Sequence, residues 1–315
     1  VSIYVAHRLF AAHDRALAAA LAERLAKKVG SERVFLPFCD TDEEELVAEV
    51  KGRRLFELDR ERLGRLDAMI AILHGPSLDD GVCMEIGYAA AIGVPVLLFT
   101  TDFQTYSLTK NGAPLDFPDP LIQAVARHTI RIPHLGPPSS SPQKGATHYA
   151  AFGARNLSQI DTALDTAVDA VLELPSPCPQ PTPRRRDGLV YVEGSPYAAW
   201  GHDRLARLCL GAGHRLALPR RFAVADPIAE AIGDFTTACD APRFLADVSG
   251  PETPPGTALL IGAALASGVR IAAFHPRPTY THASGREPNQ RNLMIQYAVH
   301  AYLADLEAVR AWLTL

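Results

Sequence analysis

Residues Gly75 to Phe99 read GPSLDDGVCMEIGYAAAIGVPVLLF, and residues Gly250 to Phe274 read GPETPPGTALLIGAALASGVRIAAF. Laid one over the other without a gap, they place Gly75, Gly81, Gly87 and Gly93 over Gly250, Gly256, Gly262 and Gly268. Any two strand–loop–helix–strand units share a hydrophobic rhythm, but four glycines in step mark an internal repeat. In each copy a glycine-bounded loop leads into an Ala-rich helix, a glycine stops the helix, and an apolar run follows.

Working outward, the first half alternates strand and helix signals. Ile3 to Val5 is a short β-rich run, and Ala16 to Val29 is an Ala/Leu helix that ends at Gly30. Val34 to Leu36 is apolar and closed by Pro37, Glu43 to Leu66 is helical in pattern, and Ala68 to Leu73 reads as a buried strand. A helix is expected over Glu85 to Ile92, a strand over Val94 to Phe99, a long loop over Pro133 to Gly145 and a helix over about Leu157 to Leu172. The Pro-rich stretch Pro175 to Gly188 reads as a solvated linker, its Arg184-Arg185-Arg186 cluster included. The pattern then restarts: Leu189 to Val192 repeats the first strand, His202 to Leu210 begins a helix, and Arg215 to Leu218 ends at Pro219 as its counterpart ended at Pro37. A last helix is expected over Leu293 to Leu303. Alternating strands and helices imply parallel sheets covered on both faces. The units are expected at 1–174 and 189–315, joined by 175–188.

Composition limits what such a chain can do. Its 315 residues are 48% hydrophobic and 21% charged, with a net charge of −4, so no basic surface points to a nucleic acid polymer. Five scattered cysteines form neither a CxxC pair nor a Cys/His cluster, which argues against zinc and disulfides and for a reducing cytoplasm. No signal peptide is expected around His7 and Arg8, and the longest apolar run, Ala89 to Phe99, is too short to span a bilayer.

The copies part company at their polar positions. Asp79 and Asp80 become Pro254 and Pro255, Glu85 becomes Leu260, and Tyr88 becomes Ala263. Loss of the whole acidic set, with the glycines kept, looks like loss of a site. In the first copy Asp79-Asp80-Gly81 forms a loop at the carboxyl end of a parallel strand, where open α/β sheets bind ligands. Glu85 is expected in the first helical turn, where free N–H groups favour an ionised carboxylate. An ionised Glu with a second carboxylate nearby suits glycosidic chemistry, one group attacking the anomeric carbon and the other managing the leaving group's proton. Cys83 has no His placed to activate it and is expected to pack.

The string from Asp79 through Gly81, Glu85, Gly87 and Tyr88 to Ala89, with Leu66 to Ala71 before it and Gly93 to Val96 after it, resembles the nucleoside 2-deoxyribosyltransferase family. Ile3-Tyr4-Val5-Ala6, followed by Phe10, is similar to that family's first strand and loop. The resemblance implies two flavodoxin-like or Rossmann-like α/β sandwiches packed as an internal pseudo-dimer, and exchange of nucleobases on 2-deoxyribose. It implies Glu85 as nucleophile, oriented by Tyr4, with Asp67 and Asp79 contacting and protonating the base; Asp59 is a further residue that could face the pocket. In the family a neighbouring subunit completes the pocket with an Asn-Leu-Met segment. Here that segment is Asn292-Leu293-Met294, in the second copy, and the first copy has Asp119-Pro120-Leu121 at the matching place. Arg155-Asn156-Leu157 is a rival. Substrate-binding roles are expected for Asn292, Met294, Tyr88 and Gly81. Nucleosides and nucleobases are the expected partners, no metal or organic cofactor is called for, no membrane is involved, and homo-oligomers of pseudo-dimers are compatible with the reading. An N-glycoside hydrolase and a non-catalytic nucleotide-sensing module are the alternatives.

Overall fold

A computed structural model describes residues 2–40, 49–134, 147–194, 199–222, 225–250, 252–276 and 292–315. The first sheet holds β1 (Ile3–Ala6), β2 (Val34–Phe35), β3 (Ala68–Ile72), β4 (Val96–Thr100) and β5 (His128–Arg131), all parallel, in the order β2-β1-β3-β4-β5. Its helices are α1 (Ala12–Val29), α2 (Glu49–Leu63), α3 (Asp80–Ala91), α4 (Pro120–Val125) and α5 (His148–Leu172). The second sheet holds β6 (Leu189–Glu193), β7 (Arg215–Ala217), β8 (Arg243–Asp247), β9 (Arg270–Phe274) and β10 (Ala301–Leu303), all parallel, ordered β7-β6-β8-β9-β10. Its helices are α6 (Ala199–Gly211), α7 (Pro227–Asp240), α8 (Pro255–Ala266), α9 (Leu293–Ala298) and α10 (Leu306–Thr314). Each element of one half has its counterpart in the other, and the strand order is that of flavodoxin-like sheets.

Burial follows from this layering. β1, β3 and β4 are buried at every position, as expected of continuous apolar strands covered on both faces. Ile3 and Val5 pack with Leu21, Leu25, Leu164 and Val168 of α1 and α5. Tyr4 and Ala6 point the other way, into a core continuous across both halves that includes Ile86, Leu259, Ile261, Tyr191 and Phe244. The inner faces of the two sandwiches therefore meet through α3 and α8. Gly87 and Gly262 permit that meeting: a Cβ on either would overlap the backbone carbonyl of Leu259 or of Met84 respectively.

Several sequence expectations are corrected here. α3 begins at Asp80, five residues before Glu85, because Asp79 caps it by accepting from Val82 N at 3.0 Å. α5 begins at His148, where Thr147 caps it. The helix expected over Leu293 to Leu303 stops at Ala298, since Val299 is extended and Ala301–Leu303 instead pairs with β9. Of the helix expected over Glu43 to Leu66, residues 43–48 lie outside the described residues, as does most of the loop expected over Pro133 to Gly145. The Pro-rich segment is tied down rather than simply solvated. Cys178 N donates to Gly93 O at 3.0 Å, and the Arg185 guanidinium donates to the carbonyls of Cys239 (2.8 Å), Ala241 (3.2 Å) and Ser267. A cation bonded to carbonyls at the ends of α7 and α8 is favoured by both helix dipoles. Arg186 pairs with Asp240 at 3.3 Å.

Candidate active site

At the carboxyl ends of β1 and β3, where the strand order reverses, lies a cavity of about 630 Å³. β1 presents Tyr4, and the chain leaving it supplies His7, Arg8 and Phe10. α2 contributes Phe56 and Asp59, while Asp79, Asp80, Gly81 and Glu85 come from the start of α3. The second half closes the wall with Glu252, Thr253, Asn292, Leu293 and Met294. Phe38 also lines it, and is the one non-glycine residue among those described with a left-handed backbone, at φ 66°. The Arg15 guanidinium stacks over its ring at 5.2 Å.

Glu85 is buried in this wall, 7% exposed, and its Oε1 accepts a 2.7 Å hydrogen bond from Tyr4 Oη. The two residues meet because Tyr4 occupies an inward position of β1 while Glu85 stands in the second turn of α3. The helix N-terminus is thus one turn further from Glu85 than the sequence suggested, and Asp79 takes the cap instead. Burial pushes the Asp79 carboxyl up from its ordinary value, against the opposing pull of the Val82 N–H and the Arg8 cation. Asp80 is pushed up to about 6, first by burial and then by the anionic Asp79 beside it. Arg8 donates from Nε to Asp14 Oδ2 at 2.7 Å, so its charge is largely balanced where it enters the cavity. Burial lowers the pKa of His7, which keeps its imidazole neutral.

Asn292 caps α9, accepting from Met294 N at 2.9 Å, and its amide lies directly over Gly81, where a Cβ would clash with it. Glycine at 81 is what lets the second half approach this closely. Not every residue singled out in the sequence is here. Asp67 precedes β3, at the opposite end of the sheet, where its Oδ2 accepts from Ser2 N at 2.6 Å; it does not line the cavity, and Asp59 does. Tyr88, half-buried against the core, does not line it either. Asn156 is half-buried on α5, away from the cavity, and donates to Phe152 O at 2.9 Å. Cys83 is fully buried, and burial drives its thiol pKa well up, so it packs. Glu252 and Thr253 were not anticipated, although the repeat carried the signal. They occupy the loop matching Ser77-Leu78, and a two-fold arrangement brings those loops face to face, with Ser77 Oγ donating to Glu252.

The family model described as nucleoside 2-deoxyribosyltransferase matches residues 3–163, half of the chain. The chain belongs to that family. No curated protein matches it. Among solved structures, a conserved protein from Enterococcus faecalis is 33% identical over 32% of this chain and 64% of its own, with a TM-score of 0.29. The chain therefore covers less than two thirds of that protein. The E. coli heptosyltransferase WaaC with ADP-2-deoxy-2-fluoro heptose is 13% identical, over 94% of this chain and 98% of its own, with a TM-score of 0.22. At such TM-scores neither likeness bears on the fold. No helix among the described residues is long and apolar enough to cross a membrane, and no described group of His, Cys, Asp and Glu could hold a metal.

Proposed function

We propose that this chain exchanges nucleobases on 2-deoxyribose by double displacement, with Glu85 as the nucleophile. The observation that carries the reading is the buried Tyr4–Glu85 hydrogen bond at the wall of a cavity lined by both halves. One Glu85 oxygen is fixed by the Tyr4 hydroxyl, leaving the carboxylate oriented to attack C1′ as the base departs. The glycosyl ester that forms is then opened by an incoming base, with retention overall. Asn292 and Met294 would hold the sugar from the second half, and Asp59 and Asp79 would meet the base.

The charge balance of the cavity favours an unphosphorylated substrate. Among its described lining residues are the carboxyls of Asp59, Asp79, Asp80, Glu85 and Glu252, against the single guanidinium of Arg8, itself paired with Asp14. A phosphate dianion would meet net negative charge in a partly desolvated site, whereas a neutral nucleoside would not.

The test is to incubate the protein with deoxyinosine and adenine. Deoxyadenosine should form faster than free deoxyribose, and initial rates should give parallel double-reciprocal lines, as a covalent intermediate requires. Accumulation of free sugar, with products indifferent to added adenine, would replace transfer by hydrolysis.

A further inference from the structure

We propose that Phe38 seats the nucleobase, its ring held against the base plane by a strained turn that Arg15 latches in place. This rests on the nucleoside reading above, but not on what becomes of the sugar once the base has left.

Phe38 stands in the turn that leaves β2. Cys39 N donates to Leu36 O at 3.2 Å and closes the four residues Leu36-Pro37-Phe38-Cys39, with proline second and a positive φ third. That is the pattern of a type II turn, whose third position ordinarily takes glycine because a side chain there crowds its own backbone. A phenylalanine at φ 66° is strained, and the surrounding contacts have to hold it there. Asp40 Oδ2 accepts from Leu36 N at 2.8 Å across the turn. Arg15, near the start of α1, stacks its guanidinium over the Phe38 ring at 5.2 Å and donates from Nη1 to Leu9 O at 2.7 Å and Phe10 O at 3.0 Å. One side chain thus ties the loop after β1 to the turn after β2, and both line the cavity.

The second half lacks this strain. By strand register Leu218-Pro219-Arg220-Arg221 matches Leu36-Pro37-Phe38-Cys39. Arg220, at the position of Phe38, has no left-handed backbone, and its side chain is 70% exposed beside Glu230. A Leu-Pro turn can therefore leave such a sheet unstrained, and the strained form goes with the half that keeps the acidic cavity. The strand order β2-β1-β3 puts the turn on one side of Tyr4, while Gly81, covered by Asn292, follows β3 on the other. A nucleoside with its anomeric carbon at Glu85 and its sugar at Asn292 then directs its base toward Phe38. An aromatic ring suits that place, because every nucleobase offers a π face and stacking leaves its edge to Asp59 and Asp79.

The test uses 9-deaza-2′-deoxyadenosine, whose base is joined to the sugar by a C–C bond that glycosyl chemistry does not break. Its dissociation constant can be measured calorimetrically on the intact chain. Phe38→Gly and Phe38→Ala should each weaken binding about tenfold or more, and Phe38→Tyr should keep it. In thermal unfolding Phe38→Gly should be more stable than Phe38→Ala, since glycine meets φ 66° without strain. Arg15→Met should weaken binding when Phe38 is present and add little to Phe38→Gly, as expected of a residue that positions the ring. Binding as tight as wild type in Phe38→Gly would overturn the assignment, as would an equal loss from Arg15→Met in both backgrounds. So would affinities that simply follow Tm, because the ring would then support the fold and not the base. If the variants lose binding as expected but the wild type neither transfers nor hydrolyses, the role of Phe38 stands and glycosyl transfer falls. A wild type that does not bind the C-nucleoside would overturn both.

Discussion

The two halves place the same backbone around two very different interiors. Strand register defines the correspondence: Tyr4 lies opposite Met69 as Tyr191 lies opposite Phe244, so Tyr191 is the counterpart of Tyr4. Asn292 and Asp119, the caps of α9 and α4, correspond as well, and each lies against the glycine at the start of the other half's inner helix, Gly81 and Gly256. In the first half this arrangement encloses a cavity. In the second it encloses Arg221, 1% exposed, whose guanidinium pairs with Asp119 at 2.8 Å, Glu193 at 2.7 Å and Asp234 at 3.3 Å. By the same register Glu193 stands where the first half has Ala6, and Asp234 lies on α7, which precedes β8 as α2, with Asp59, precedes β3. The side chain of Arg221 thus takes up space that remains open in the first half.

The comparison explains which features of the repeat survived. Gly81, Gly87, Gly256 and Gly262 are kept because each half needs close approach to the other, whatever happens chemically. Under the proposed function Glu85 serves chemistry rather than packing, and without that use a carboxyl in a partly closed pocket is a cost. Leu260 replaces Glu85 and is fully buried, and Arg221 with its three acids fills the remainder.

The largest expected effect breaks the comparison at its centre. Glu85→Ala should lower turnover by several orders of magnitude without unfolding the protein, and a slow 2-fluoro nucleoside should label the wild type but not the variant. At the corresponding position Leu260→Ala should instead cost about 2–5 kcal/mol of stability. Near-normal turnover in folded Glu85→Ala would remove the nucleophile assignment.

The second site gives the next effect. Arg221→Met keeps the volume but leaves Asp119, Glu193 and Asp234 without their cation. Breaking a buried pair on one side costs about 3–5 kcal/mol, which denaturant unfolding would measure. Glu193, already pushed up by burial, can escape the penalty by binding a proton. The loss should therefore be greater at pH 8 than at pH 5. A variant as stable as wild type at both values would show that the cluster is incidental to how the halves hold together.

How much of this could be read from sequence depends on whether the signal was local. Four glycines in step disclosed the repeat, and alternation of apolar runs with helix patterns disclosed two parallel sheets. The start of α3 is not legible in the sequence because Asp79 reads as a turn residue, whereas its cap extends the helix to Asp80. The motif resemblance puts Asp67 in the pocket, but a position before a strand points to the amino end of the sheet, and the cavity is at the carboxyl end. Asp59 is a pocket candidate in the sequence, but on a polar helix face it competes with a solvated position until α2 is placed over the cavity. The Arg221 cluster is invisible in the sequence, because its members lie up to 102 residues apart, Glu193 and Asp234 in the same half as Arg221 and Asp119 in the other.

The smallest effect contrasts the paired tyrosines. Tyr4 Oη donates to Glu85, so Tyr4→Phe should leave the carboxylate less well oriented and without one charge-assisted hydrogen bond. A fall in kcat of about tenfold to a hundredfold is expected, with little change in KM, since the bond serves the attacking group and not ground-state binding. Tyr191 keeps the same inward position, but Leu260 offers it no acceptor, and its buried hydroxyl, close to Glu193, has no well-formed hydrogen bond among the described residues. A buried hydroxyl without a partner contributes nothing favourable, so Tyr191→Phe should leave turnover unchanged and hold or slightly raise Tm. If both substitutions lowered kcat alike, the second interior would be coupled to the reaction rather than a filled remnant. If Tyr191→Phe were clearly destabilising, its hydroxyl would be supporting the Glu193–Arg221 cluster, and the second interior would be a polar network in its own right.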